Sequence, residues 1–171
     1  ERIDYNFSVE DFRKKKAKNK TALQKELGLK VDPKAMMIGI VSRLTDQKGL
    51  DLVAYVMDEL CQDAIQIVVL GTGEEQYENM FRHFAWKYPD KVSANIYYSD
   101  PMSHKIYASC DAFLMPSLFE PCGLSQLMSL RYGTVPIVRE TGGLKDTVIP
   151  YNEYESTGTG FSFATYNAHE M

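Results

Sequence analysis

The sequence predicts an α/β domain built on a doubly wound parallel sheet. Short apolar runs of strand length recur along the 171 residues, and segments with helical spacing separate them. The runs are apolar at successive positions, as expected for parallel strands that are covered by helices on both faces. With 44% hydrophobic and 25% charged residues, the chain can bury a core as one domain, residues 1–171.

The predicted elements alternate in chain order. Strands are predicted at residues 35–41, 65–70, 94–98, 112–115, 135–138 and, from a weaker pattern, 160–163. Helices are predicted at residues 50–60, 74–87, 103–109 and 124–132. The basic run at residues 13–20 is predicted to be a solvated helix flank rather than a patch that binds RNA or another polymer.

Composition limits the possible partners. The formal charge of −4 and the pI near 5.4 argue against general nucleic-acid binding. No apolar run approaches the roughly 20 residues of a membrane-spanning helix, so no membrane partner is expected. Three cysteines without CxxC spacing favour a reducing compartment over a disulfide framework or a zinc site.

Ligands of open parallel sheets bind outside the carboxyl ends of the strands, so the loops at those ends are the candidate site. Arg43 and Lys48 follow the first strand, and Gly71 begins "GTGEE" after the second. Tyr98 ends the third strand, and Glu120 lies between Phe119 and Pro121 after the fourth. Ser99 and Asp100 precede a proline and are candidate N-caps of the next helix.

Each of these residues has an ordinary alternative role. The two cations can be solvated loop residues, and a glycine often serves only to turn a strand into a helix. A tyrosine at a strand end is commonly a packing residue, and a lone acid at a helix start interacts favourably with the helix dipole. Taken singly, none of the four loops identifies a ligand.

Together, the loops fit a nucleoside diphosphate. Backbone N–H groups at the helix start Gly123-Leu124-Ser125 form a potential anion site, which carries only about half a positive charge. A diphosphate brings roughly two to three negative charges, so further cations are needed. Because the histidines are scattered and no acidic pair ends a strand, we expect Arg43 and Lys48 to supply that charge, with no metal ion and no cofactor.

Three segments carry a resemblance to a known family: "SRLTDQKGLDL", "YSDPMSHKIYASCDAFLMPSLFEPCGLSQL" and "RYGTVPIVRETGGLKDTV". They resemble the bacterial glycogen synthases and plant starch synthases, which are retaining glucosyltransferases of the two-domain GT-B fold. The resemblance implies a Rossmann-like fold and the carboxyl-terminal half of such an enzyme. It places the amino-terminal acceptor domain and the final crossover helices outside this sequence.

The resemblance also implies roles for individual residues. Arg43 and Lys48 match the pair that holds the diphosphate and stabilises departing ADP, and Tyr98 matches the aromatic residue that stacks on adenine. Leu124 and Ser125 match the amides that hold the distal phosphate. Glu120 matches the carboxylate of the catalytic cleft.

Two further residues are accessory candidates. Cys122 matches the cysteine beside the catalytic carboxylate, although a small buried residue in a tight turn is the simpler interpretation. His104 lies early in the helix after Tyr98, where either a site role or a packing role fits.

The implied reaction transfers glucose from ADP-glucose to the 4-hydroxyl at the non-reducing end of an α-1,4-glucan, glycogen or starch, with retention. The implied location is the cytoplasm, or the plastid in a plant. Three alternatives stay open: a retaining GT-B transferase that uses a UDP-sugar, a non-catalytic nucleotide-binding module, and a dinucleotide oxidoreductase. The oxidoreductase is disfavoured because "GTGEEQYE" lacks the third glycine of GxGxxG and follows the second strand.

Overall fold

The computed structural model describes residues 2–171 and confirms the predicted α/β class. Within that range, six parallel strands form one sheet in the order β3-β2-β1-β4-β5-β6. The strands are β1 (Met36–Val41), β2 (Ile65–Leu70), β3 (Val92–Asn95), β4 (Ala112–Met115), β5 (Val135–Arg139) and β6 (Phe161–Phe163). The helices are α1 (Phe12–Glu26), α2 (Leu50–Leu60), α3 (Glu75–Lys87), α4 (Asp100–Ser109), α5 (Ser125–Arg131) and α6 (Gly142–Thr147), with a 3₁₀ turn at Asp46–Lys48.

The strand order reverses between β1 and β4. From β1 the chain continues to β2 and β3 on one side of the sheet, and from β4 it continues to β5 and β6 on the other. The loops that leave β1 and β4 therefore diverge and open a crevice outside the carboxyl ends of these two neighbouring strands. This switch point is where a ligand site is expected.

Apolar side chains are buried on both faces of the sheet. Val53 of α2 and Phe81 of α3 pack with Ile40 on one face, and all three are at most 2% exposed. On the other face, Leu23 of α1 and Ile106 of α4 pack in a second cluster. Burial on both faces explains why the strand sequences are almost continuously apolar.

The prediction of a solvated basic run is wrong for two of its lysines. Lys20 is only 6% exposed, and its ammonium lies 2.7 Å from Asp111 Oδ2 and also donates to the Ala35 carbonyl. Helix α1 therefore packs on the sheet with part of its basic face turned inward.

Lys16 is the second of these lysines. Its ammonium donates to the carbonyls of Tyr107 and Ala108, each at 3.2 Å, and to Thr134 Oγ1 at 2.7 Å. The two carbonyls belong to the last turn of α4, so Lys16 caps the carboxyl end of that helix. Burial lowers the pKa of Lys16 to about 8, and the nearby Asp111 opposes this change.

The third strand lies earlier than predicted. It spans Val92–Asn95 rather than residues 94–98, because it pairs only with β2 and β2 ends at Leu70, opposite Asn95. Helix α4 starts at Asp100, three residues earlier than predicted, and Ser99 is its N-cap, with Ser99 Oγ accepting from the Met102 amide at 3.2 Å.

Helix α6 was not among the predicted helices. Its six residues, Gly142–Thr147, follow β5 and lie beside the loop that follows β4. Within residues 2–171, no helix has both the length and the apolar character that crossing a membrane requires.

Candidate functional site

The loops after β1 and β4 are joined at the switch point. The Leu118 amide donates to the Gln47 carbonyl at 2.9 Å, and Gln47 Nε2 donates to the Phe119 carbonyl at 3.2 Å. Gly49 has φ of 72°, and a Cβ at this position would lie 1.9 Å from the Pro116 carbonyl oxygen. Only glycine allows the two loops to approach this closely.

Lys48 and Glu120 meet in this crevice, one from each loop. Lys48 Nζ lies 2.6 Å from Glu120 Oε2, and the two side chains are only 16% and 12% exposed. Ser117 Oγ also donates to Glu120 Oε2, at 3.3 Å. The structure thus brings the predicted phosphate-binding cation into direct contact with the predicted catalytic carboxylate.

Arg43 lies on the same edge of the sheet, two residues after the end of β1. Its side chain is exposed, and within residues 2–171 its guanidinium forms neither a hydrogen bond nor an ion pair. The guanidinium is therefore exposed on this edge of the sheet, and it is not linked directly to Glu120.

The backbone of the Glu120 turn is held by the start of α6. The Gly143 amide donates to the carbonyls of Glu120 and Pro121, at 3.1 and 3.2 Å. A Cβ on Gly142 would lie 2.1 Å from the Glu120 carbonyl oxygen, so this contact also requires glycine. The "TGG" stretch after β5 therefore holds the backbone of the Glu120 turn in place.

Gln126 holds the next part of the same turn. Its side chain is fully buried, and Nε2 donates to the carbonyls of Cys122 and Gly123 at 3.1 and 3.0 Å and to Thr147 Oγ1 at 3.1 Å. The carbonyl of one residue and the amide of the next point in opposite directions across a trans peptide. The amides of Gly123 and Leu124 therefore point away from Gln126.

Sequence reasoning did not single out Gln126 or Ser117. Both are buried polar residues within the segment from β4 to α5, at 0% and 1% exposure. No apolar pattern could have marked Gln126, because α5 buries the polar Gln126 and Ser129 while its apolar Leu127 and Met128 are exposed.

Gly71 brings the loops after β1 and β2 together. A Cβ on Gly71 would lie 1.9 Å from the Ser42 carbonyl oxygen, and the Gly71 amide donates to the Asn95 carbonyl at 3.1 Å. The amide of Gly71 is thus engaged inside the protein, and close packing of the loops is the role that the structure shows for this residue.

Tyr98 lies in the loop between β3 and α4 and is 89% exposed. Its ring is open to solvent, as a stacking surface requires, and it is not a packing residue. Ser125 begins α5, and Leu124 before it is 73% exposed.

His104 is not part of the crevice. It is 6% exposed, and its Nδ1 lies 2.8 Å from the Asp100 carbonyl oxygen while Nε2 lies 3.1 Å from Arg2 Nη1. Since a carbonyl only accepts, Nδ1 donates, and Nε2 accepts from the guanidinium. Both nitrogens are therefore engaged, and the rings of Tyr107 and Tyr132 pack edge-on against this histidine. The structure thus favours the packing role of His104 over the site role.

Cys122 is exposed, so the interpretation as a small buried residue is wrong. Its thiol is free, and it lies two residues after Glu120 on the rim of the turn. Over the described residues 2–171, no group of three or more His, Cys, Asp or Glu side chains is arranged to hold a metal ion.

Fold and site together define an α/β domain with a ligand crevice at the switch point of its sheet, with a cation and a carboxylate in contact inside it. The chain belongs to the glycosyl transferases group 1 family, whose sequence pattern matches residues 19–171.

Two curated relatives are bacterial. The chain is 79% identical to a glycogen synthase of Lachnospira eligens, over 99% of this chain and 36% of that protein. It is 69% identical to a glycogen synthase of Lachnoclostridium phytofermentans, over 99% of this chain and 35% of that protein. The chain thus spans about a third of the length of these relatives.

Among solved structures, the chain is similar to the catalytic domain of starch synthase IV from Arabidopsis thaliana, bound to ADP and acarbose. The TM-score is 0.89 and the identity 33%, over 99% of this chain and 36% of that one. The predicted Rossmann-like fold class is confirmed by this match.

Proposed function

We propose that the chain is the nucleotide-sugar-binding carboxyl-terminal domain of a glycogen synthase. Such an enzyme transfers glucose from ADP-glucose to the 4-hydroxyl group at the non-reducing end of an α-1,4-glucan, with retention of configuration. The observation that carries the proposal is the contact between Lys48 and Glu120 at the switch point. The 79% identity to a glycogen synthase supports it, as does the similarity to a starch synthase that binds ADP and acarbose.

The phosphate end of the donor would lie against the cationic side of the crevice. Arg43 is exposed and without a partner among residues 2–171, so its planar guanidinium can hold two phosphate oxygens at once. Lys48 adds a point charge, and the amides of Gly123 and Leu124 add further donors. As the glycosidic bond to the phosphate breaks, these groups stabilise the negative charge that grows on the departing ADP.

The sugar would lie beside Glu120. Positive charge grows on the glucose ring as the bond breaks, and a carboxylate held in a fixed place stabilises it without reorganising. The turn around Glu120 is fixed by the Gly143 amide, and its carboxylate is only 12% exposed. The chain's part in the transfer is therefore to hold opposite charges on the two sides of the breaking bond.

Tyr98 provides the surface for the adenine base. Its ring is 89% exposed at the carboxyl edge of the sheet, and aromatic rings bind planar bases by stacking. A tyrosine can stack on either adenine or uracil, so the preference for ADP over UDP is supported by the similar starch synthase, which is bound to ADP, rather than by the ring.

The remaining features concern the whole polypeptide. The glucan acceptor would bind mainly to the part of such an enzyme that lies outside the region matched by this chain, which is about a third of the relatives' length. Free cysteines support a cytoplasmic or plastid location. With two cations in place for the diphosphate, no metal ion is assigned a role.

A calorimetric titration of the chain with ADP, UDP and NAD at low salt tests the proposal. We expect ADP to bind more tightly than UDP, and no binding of NAD. Arg43→Ala is expected to weaken ADP binding, while the control Arg13→Ala on the exposed side of α1 leaves it unchanged.

Three outcomes would contradict the proposal. Tighter binding of UDP than ADP would indicate another nucleotide sugar, and binding of NAD would indicate a dinucleotide enzyme. Tight ADP binding without glucosyl transfer by the full-length polypeptide would indicate a non-catalytic module.

A further inference from the structure

The contact between Lys48 and Glu120 places a negative charge beside a cation that a diphosphate needs. The two charged atoms are 2.6 Å apart, and both side chains are at least four-fifths buried. Water therefore screens their charges less than it screens a surface pair. A diphosphate that reaches Lys48 must also approach the carboxylate.

The lysine has donors left over. An ammonium group carries three N–H donors, and Glu120 Oε2 takes one of them. Within residues 2–171 no other group accepts from Lys48 Nζ. A phosphate oxygen can bind a remaining donor while the ion pair persists, so Glu120 stays close to the bound diphosphate.

Two effects of the carboxylate on diphosphate binding have opposite signs. Glu120 orients the lysine, which favours binding, and it neutralises the lysine and repels the diphosphate, which opposes binding. We expect the orienting effect to be small here, because Lys48 ends a 3₁₀ turn and precedes the tightly packed Gly49, so the loop itself fixes its backbone. The repulsion is large, because the charges are close together in a region of low dielectric constant.

We infer that Glu120 lowers the affinity of the crevice for a nucleoside diphosphate by partly neutralising Lys48. This inference rests on the proposed function and assigns Glu120 a second role, in limiting how tightly the product nucleotide is held. The carboxylate that stabilises the sugar in the transition state thereby also favours release of the departing nucleotide.

The test is the affinity for ADP, measured by calorimetry, of the chain and of Glu120→Gln, which keeps the shape of the side chain and removes its charge. We expect Glu120→Gln to bind ADP about five- to tenfold more tightly, which corresponds to about 1–1.4 kcal/mol. Its affinity should also fall more steeply with added salt, because the site has one more net positive charge. A purely structural role of Glu120 would not change the salt dependence.

Glu26→Gln is the matched control. Glu26 pairs with Lys105 at 2.7 Å between α1 and α4, so the substitution removes the same charge from another lysine pair. ADP affinity is expected to stay unchanged. Glu120→Ala is a second variant, with circular dichroism as the check on folding, and it is expected to change the affinity in the same direction.

The outcomes separate the inference from the proposed function. If the unmodified chain does not bind ADP, the proposed function and the inference both fail. If it binds ADP, and the folded Glu120 variants bind it equally or more weakly, the inference alone is overturned.

Discussion

The ion pair between Lys20 and Asp111 predicts an unequal effect of removing either partner. Asp111 Oδ2 accepts from Lys20 Nζ at 2.7 Å and from the Met37 amide at 2.8 Å, and so connects α1 to the start of β1. The Lys20 side chain is 8% exposed, whereas that of Asp111 is 46% exposed. Asp111→Ala therefore leaves a buried ammonium and a buried amide, while Lys20→Met leaves only a half-solvated carboxylate.

The magnitudes follow from these contacts. Removing the partner of a fully buried charge costs about 3–5 kcal/mol, and here only the lysine is buried, so the lower end of that range applies. Lys20 keeps the carbonyls of Ala35 and Pro33 as acceptors, so we expect Asp111→Ala to cost about 3 kcal/mol, including the lost bond from the Met37 amide. Lys20→Met keeps the apolar volume of the stem, and we expect it to cost about 1 kcal/mol.

Urea unfolding followed by far-ultraviolet circular dichroism measures both changes in the free energy of unfolding. The exposed Trp86 is unsuitable as a probe, because its surroundings change little on unfolding. A stability loss for Lys20→Met that equals or exceeds the loss for Asp111→Ala would refute the reasoning. The reasoning requires a buried ammonium without its carboxylate to cost more than a half-exposed carboxylate without its ammonium.

Three further predictions concern the crevice. Gly49→Ala is expected to abolish ADP binding and to lower the melting temperature, because the new Cβ would lie 1.9 Å from the Pro116 carbonyl oxygen. Calorimetry measures the binding and thermal unfolding measures the stability; unchanged ADP binding would contradict the prediction. In the folded chain at pH 8, the Cys122 thiol is expected to react rapidly with iodoacetamide, whereas Cys61 and Cys110 are buried and burial raises the pKa of the Cys110 thiol to about 12. Mass spectrometry counts the modified thiols, and Cys122→Ser should abolish the rapid reaction. Glucan synthesis by the full-length polypeptide is expected to continue in excess EDTA, because fixed cations bind the diphosphate; loss of activity that Mg²⁺ restores would show the opposite.

Apolar patterning predicted most of the sheet, because buried parallel strands have a composition that little else shares. It misplaced β3, since the end of an edge strand depends on its partner: β2 ends at Leu70, while the aromatic residues after Asn95 continue the apolar pattern. It also missed α6, whose six residues begin with two glycines that are needed for contact with the Glu120 turn. These details depend on neighbours that are distant in sequence.

Part of the candidate site was predictable for a similar reason. Loops at the carboxyl ends of parallel strands lie on one edge, so Lys48 and Glu120 were expected on the same rim, and the structure places them in contact. Their direct ion pair could not be predicted, because it depends on the approach of Gly49 to the chain after β4. The structural role of His104 could not be predicted from the sequence, because its partners include Arg2, which is 102 residues away, and the ring of Tyr132.

Hydrogen bonds that link the loops after β1, β4 and β5 affect how the crevice responds to a ligand. Gln47 bonds across to the chain after β4, and the Gly143 amide bonds to the turn from the other side, so the backbone walls are set before any ligand arrives. Adaptation is left to a few side-chain torsions, such as those of Arg43 and Tyr98. Little ordering entropy then opposes association, and any larger closure requires this group of loops to move as one unit.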